Sequence, residues 1–150
     1  MDPEIPVLSI VELGILRDVT VGDAGVTVTL TPTYSGCPAM GAIEAEVRSV
    51  LRDAGYDRVE IKTVYAPAWT TDWIAAPARE KLRAHGIAPP GPRALEPLVQ
   101  LEPGRAPDPV SCPFCGSSDT AVVSRFGPTA CTSLHSCRSC RQPFEHFKAF

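Results

Sequence analysis

Four of the six cysteines fall in two Cys-x-x-Cys pairs near the C-terminal end, Cys112/Cys115 and Cys137/Cys140. Two intervening residues let one tight loop present both sulfurs while its backbone N–H groups turn toward them. Two such loops, brought together by a hairpin between Cys115 and Cys137, place four thiolates around one ion. Zinc is the expected occupant, in a structural role. Four protein ligands close the coordination shell, and a module this small has too little core to fold readily without a staple. Sulfur donors alone do not select the metal, so an iron site or a cluster fits the same spacing. Cys131 is the odd thiol: it reads as a small buried side chain, with an auxiliary or replaceable ligand as the functional alternative. His135 and His146 read as ordinary packing or surface histidines, since four cysteines complete the shell.

The sixth cysteine lies in Thr33-Tyr34-Ser35-Gly36-Cys37-Pro38, between an expected strand and an expected helix. Proline fits the first position of a helix, which puts Cys37 at or near the N-cap. Unpaired N–H groups and the helix dipole there favour a thiolate, so the geometry expected is that of a reactive or metal-ligating cysteine. A small buried cysteine in a turn is the plainer reading. Trp69-Thr70-Thr71-Asp72-Trp73 is a further cluster, with Thr71 or Asp72 able to cap the helix that follows, or simply aromatic packing.

The elements that must position these residues follow from periodicity. Ser9-Ile10-Val11-Glu12 has the spacing of a capping box and predicts a short helix stopped by Gly14. Val19 and Val21, then a Gly-Asp-Ala-Gly turn, then Val26, Val28 and Leu30 alternating with threonines predict a hairpin with one apolar face. From Pro38 to Ala54 the residues Met40, Ile43, Val47, Val50 and Leu51 form one helical stripe ended by Gly55. Residues 58–65 alternate as a strand. A last helix, interrupted or restarted at Pro77, carries Ile74, Ala78 and Leu82 and stops at Gly86. The expectation is an α+β fold: a small sheet covered by helices over residues 1–88, then a proline-rich connector over 89–110, then a zinc-ribbon module over 111–150. Seven of the chain's 16 prolines lie in that connector, where Leu95, Leu98, Val99 and Leu101 are expected to pack in part on a neighbour.

Composition limits the partners. With 14 basic and 17 acidic residues the formal charge is -3, and four thiolates around a dication would remove the small basic excess of the tail. Neither nucleic acid nor an anionic membrane is an expected partner. The start of the chain shows no secretion signal and no apolar run is long enough to span a bilayer, so the expected location is the cytoplasm, where paired thiols bind metal more often than they form disulfides.

Several separated motifs carry a resemblance. Asp2-Pro3-Glu4-Ile5-Pro6-Val7, Glu12-Leu13-Gly14-Ile15-Leu16-Arg17-Asp18-Val19 and Ser35-Gly36-Cys37-Pro38 resemble the iron–sulfur assembly accessory domain family. Pro67-Ala68-Trp69-Thr70-Thr71-Asp72-Trp73-Ile74, Cys112-Pro113-Phe114-Cys115-Gly116-Ser117, Phe126-Gly127-Pro128-Thr129-Ala130-Cys131 and Pro143-Phe144-Glu145-His146-Phe147-Lys148 resemble, more narrowly, the PaaD (PaaJ) family of phenylacetate-degradation proteins. This resemblance implies a non-catalytic accessory role in aerobic phenylacetate catabolism, helping to mature the multicomponent phenylacetyl-CoA oxygenase. The implied partners are the iron–sulfur assembly machinery and an oxygenase component, either the iron–sulfur and flavin reductase or the di-iron component. It also implies transient iron or cluster handling, or client docking, at Cys37, with Asp18 and Thr33 nearby in the same pattern. The alternative is an integral oxygenase component with a catalytic thiol at Cys37, against which stands the lack of any visible Cys/His/Asp set, phosphate loop or iron-binding carboxylate–histidine motif.

Overall fold

The computed structural model describes residues 1–91 and 110–149. Most of the expected connector, including Leu95, Leu98, Val99 and Leu101, lies outside the described residues. The chain divides into two compact units, Met1–Ala78 and Arg79–Ala149.

The first unit is built on a three-stranded sheet in the order β1-β2-β3, with β1 (Leu16–Gly22) antiparallel to β2 (Gly25–Leu30) and β2 parallel to β3 (Val59–Thr63). Alternation in β2 sends Val26, Val28 and Leu30 into the core and leaves the threonines between them half-buried on the other face. The β1–β2 turn requires Gly25: its φ is +125°, and a Cβ there would collide with the Arg58 carbonyl. Helix α1 (Met40–Asp53) makes the parallel crossover. It buries Ile43 and fastens to β3 on one flank, where Arg48 donates to the Val59 carbonyl (2.8 Å) and Glu44 accepts from Thr63 (3.1 Å).

The expected helix after Ser9 does not form. Its capping box does: the Ser9 N–H donates to Glu12 Oε2 (2.9 Å) and the Glu12 N–H to Ser9 Oγ (3.1 Å). Only one turn follows, because Gly14 is left-handed at φ +71° and packs where a Cβ would meet Trp73. A single turn fixes several dihedrals without the propagating bonds that make a helix favourable. Its apolar residues Leu8, Leu13 and Ile15 are fully buried beside Ile5, and Trp69 donates its indole N–H to the Leu13 carbonyl (2.8 Å).

Before the second helix stands a 3-10 turn, Thr71–Trp73, capped by Thr70 rather than by Thr71 or Asp72. Helix α2 (Ala76–Ala84) then starts afresh with Pro77 in its first turn, as its missing N–H allows, and ends before Gly86 at φ +78°.

The second unit contains a four-stranded sheet in the order β4-β7-β6-β5, from β4 (Ile87–Ala88), β5 (Thr120–Ser124), β6 (Thr132–Cys137) and β7 (Pro143–Phe147). Strands β5, β6 and β7 are antiparallel in succession, and β4 adds in parallel through Ile87↔Glu145 and Ala88↔His146. The division at Ala78 falls ahead of the boundary expected within 89–110. Residues 79–88 belong with the cysteine module because the backbone of Ile87 and Ala88 pairs with β7. The Ala88 methyl is also buried against Cys112, Cys137 and Phe144.

Candidate metal centre

Each Cys-x-x-Cys loop is a tight turn held by its own backbone. In the first, the Gly116 N–H donates to the Cys112 carbonyl and the Cys112 N–H to that of Ser117, both at 2.9 Å. In the second, the Cys137 N–H donates to the Gln142 carbonyl (3.0 Å) and the Cys140 N–H points at Cys137 Sγ (3.5 Å). The residue after each second cysteine is left-handed, Gly116 at φ +75° and Arg141 at φ +61°. Glycine takes this conformation freely, whereas arginine is held there by the loop.

The hairpin β5–β6 and strand β7 bring the two loops together. The four Sγ atoms lie within 4.8 Å of one another, with Cys112···Cys140 at 3.7 Å and Cys115···Cys137 at 3.6 Å. A tetrahedral ion with sulfur arms of about 2.3 Å sets its ligands about 3.8 Å apart, so the donor set fits zinc in number, type and spacing. The loops are also tied outside the sulfurs: Ser117 and Ser139 hydroxyls meet at 2.8 Å, and the Arg138 N–H donates to the Asp119 carbonyl at 2.9 Å. Cys112 and Cys137 are buried and Cys115 is exposed.

The electrostatics of the bare sulfurs call for a cation. The Cys140 N–H, aided by adjacent sulfurs, brings Cys137 down to about 7. The Gln142 N–H favours the Cys140 thiolate, yet burial and the other three sulfurs push that thiol up to about 12. Cys137 is thus favoured as a thiolate while Cys140 is not, since each further negative charge in so small a volume opposes the next, and a dication at the centre would relieve that repulsion.

The remaining thiols are elsewhere. Cys131 is 4% exposed, with the Thr129 hydroxyl at 3.1 Å from its sulfur, outside the four-sulfur group. His135 is buried, stacked on Phe144 at 5.5 Å and edge-on to His146 at 5.2 Å. Burial lowers both imidazoles, His146 to about 4 with help from His135 and Lys148.

Cys37 lies two residues ahead of the N-cap, which is Ala39 and not Cys37; Pro38 likewise falls outside α1. The thiol is half-buried, and its environment differs from the expected thiolate site. Desolvation raises it above the ordinary value, and the nearby carboxylates Glu4 and Asp2 add to the rise. The Ala39 N–H and the Thr33 side chain oppose it without prevailing. Asp18 is exposed on β1, where it accepts from the Thr20 hydroxyl (2.8 Å), and is not among the charges that act on Cys37. Asp2 is 5% exposed, with its Oδ1 accepting from the N–H groups of Glu4 (2.9 Å) and Ile5 (2.7 Å). Burial and Asp2 in turn raise Glu4. Sequence reasoning does not place this acidic pair beside Cys37. The Asp-Pro-Glu run signals a turn that Asp2 can cap, but nothing in local spacing joins residues 2 and 4 to residue 37.

Comparison with known proteins agrees with both units. Residues 97–148 match the PaaD zinc beta ribbon domain, and residues 1–68 match an iron–sulfur cluster assembly protein domain. A protein of Escherichia coli (strain K12), provisionally named as one of the subunits of 1,2-phenylacetyl-CoA epoxidase, is 44% identical over 98% of this chain and 85% of its own length. A Porphyromonas gingivalis protein named Fe-S protein maturation auxiliary factor is 39% identical over 54% of this chain and 78% of its own. The crystal structure of a domain of unknown function (DUF59) from Bacillus anthracis is similar with a TM-score of 0.50 and 32% identity, covering 55% of this chain and 79% of that one. This chain therefore belongs to the PaaD family, joining an iron–sulfur cluster assembly domain to a PaaD zinc β-ribbon in one polypeptide.

Proposed function

We propose that this protein is a non-catalytic accessory factor in the maturation of a multicomponent phenylacetyl-CoA oxygenase, acting in the cytoplasm. Cys112, Cys115, Cys137 and Cys140 hold a structural zinc ion, which when bound neutralises the thiolates and locks the two loops. The first unit handles iron or an iron–sulfur cluster, or docks the client, through Cys37. Its client is the reductase component or the di-iron component. Thr33 and Ala39 orient the Cys37 sulfur, and Asp2 and Glu4 add negative charge that would draw a cation toward it.

The observation that carries this reading is the environment of Cys37. Its neighbours are two carboxylates, a threonine and a backbone N–H. All three histidines, His85, His135 and His146, belong to the other unit. A thiol raised above its ordinary value with no histidine base in its own unit is poorly suited to nucleophilic turnover. A borderline cation such as ferrous iron, by contrast, accepts a sulfur together with carboxylate oxygens.

The name of the Escherichia coli relative favours one alternative, an integral oxygenase component with a catalytic Cys37. Phenylacetyl-CoA turnover by purified oxygenase with its iron content verified, assayed with this protein omitted, added, or added as Cys37→Ser, separates the two. The accessory role predicts equal rates in all three. Strict dependence on the normal protein in every cycle assigns it to the catalytic complex.

A further inference from the structure

Helix α1 leaves the β1 edge of the first unit's three-stranded sheet open. Its Glu44 and Arg48 flank is bonded to β3, so the helix is anchored on the β3 side of the sheet. A helix about 10 Å across covers roughly two strands spaced about 4.8 Å apart, and the inner face of β1 is left over. Val19 and Val21 pair with buried Val28 and Val26 and so share the core-facing side of the sheet, yet they are 46% and 60% exposed. Across from them α1 presents Val50, 58% exposed, and half-buried Val47. Val19, Val47 and Val50 line an apolar groove of about 240 Å³, with Val21 beyond them on the same strand as Val19; Glu46 and the Met1 terminus are its charged lining.

The charged side chains at the groove are acidic, and the cation beside them is the terminal ammonium of Met1. On α1, Glu46 and Asp53 fall with Val50 at i, i+4 and i+7, the flank opposite Arg48. Asp23 is exposed at the β1–β2 turn, while Asp18 lies on the opposite face of β1 with Thr20. Arg17, the basic residue of β1, is held over the Trp73 ring at 3.8 Å, and the Met1 ammonium reaches Glu46 only as an exposed pair at 3.6 Å. Residues 1–78 as a whole have 11 acidic and 5 basic side chains. Two copies placing these faces together would oppose like charges, which excludes self-association as the natural use of the groove.

We propose that the groove between β1 and α1 docks an amphipathic helix of a partner protein, one whose apolar ridge is flanked by lysine or arginine. The ridge fills the place beside α1 that a second helix would take in a two-layer α/β unit, against Val19, Val21 and Val50, and its basic flanks meet Glu46, Asp53 and Asp23. This assignment is independent of the metal centre and of the role of Cys37.

The test uses full-length zinc-loaded protein and two fluorescent stapled helical peptides of 14 residues, the length of α1, with the same leucine ridge but lysine flanks in one and glutamate flanks in the other. Binding is followed by anisotropy and by amide shifts in 15N-labelled protein. The lysine peptide is expected to bind at least about tenfold more tightly than its twin, shifting Val19, Val21, Val47 and Val50. Glu46→Lys/Asp53→Lys should reverse the order, and Val50→Glu, an exposed position that the fold tolerates, should weaken the lysine peptide by about tenfold or more. Equal affinity for the two peptides, shifts confined to other surfaces, or no binding of either overturns the proposal. So does self-association in sedimentation that Val50→Glu abolishes, which would give the groove to a second copy.

Discussion

The two thiol sites of this protein are built in opposite ways. The four-cysteine centre is assembled from two local turns, each of which orients its own sulfurs, and the sheet of the second unit needs only to bring the turns together. Cys37 owes its character first to burial, which raises its thiol above the ordinary value, and then to two residues distant in sequence, Glu4 and Asp2, whose carboxylates add to the rise. Four sulfurs within 4.8 Å of one another can enclose a single ion, whereas Cys37 is a lone, half-buried thiol.

The sharpest break of the comparison is to remove half of the local site. Cys137→Ser/Cys140→Ser should abolish metal retention and, because metal binding in such modules supplies on the order of 10 kcal/mol of folding free energy, should unfold the second unit while the first keeps its structure. Metal content by mass spectrometry and amide spectra of the two units check this together. Full metal content in the double variant would refute the assigned ligands.

Acid sharpens it next. His146 is lowered to about 4 in the folded chain against an ordinary value of 6.5, so the unfolded chain takes up its proton first as pH falls. Stability is therefore intact above about pH 6.5 and lost progressively toward pH 4, by about 2 kcal/mol after allowance for partial solvation. Thermal melts of His146→Gln should show a shallower loss over that window, leaving only the part due to thiolate protonation and metal release.

Removing the carboxylates probes the other site. Asp2→Asn and Glu4→Gln should lower the Cys37 thiol toward its ordinary value and raise its alkylation rate by iodoacetamide near pH 8 severalfold, read by peptide mass spectrometry. Unchanged rates would show that burial alone sets its reactivity. The smallest effect is expected at the strained turn: Arg141→Gly should stabilise the metal-loaded second unit by about 0.5–1 kcal/mol, measured by denaturant melts, because glycine adopts a positive φ without Cβ strain.

Much of this is legible in the sequence because it is written locally. The paired cysteines, the alternating Val26–Leu30 strand, the α1 stripe and the restart at Pro77 all express short-range geometry. The misses are tertiary. The capping box at Ser9 and Glu12 is real, but the left-handed Gly14 packed against Trp73, a residue far along the chain, ends the segment after one turn. The division between units falls at Ala78 because a two-residue strand too short for any periodic signal finds its partner in β7. Pro38 points to an N-cap at or near Cys37, and the cap falls two residues further on, at Ala39.

The central claim is that Cys37 serves the making of the oxygenase and not its turnover, and iron content tests it most directly. Reductase and di-iron components would be purified from cells supplied with the normal protein or with Cys37→Ser, after circular dichroism shows that the variant is folded and metal analysis shows that it retains its zinc. The account predicts components under-filled in iron when only the serine variant is present, with the shortfall confined to the client. Components fully loaded with iron from Cys37→Ser cells, yet inactive unless the normal protein is added back, would contradict it.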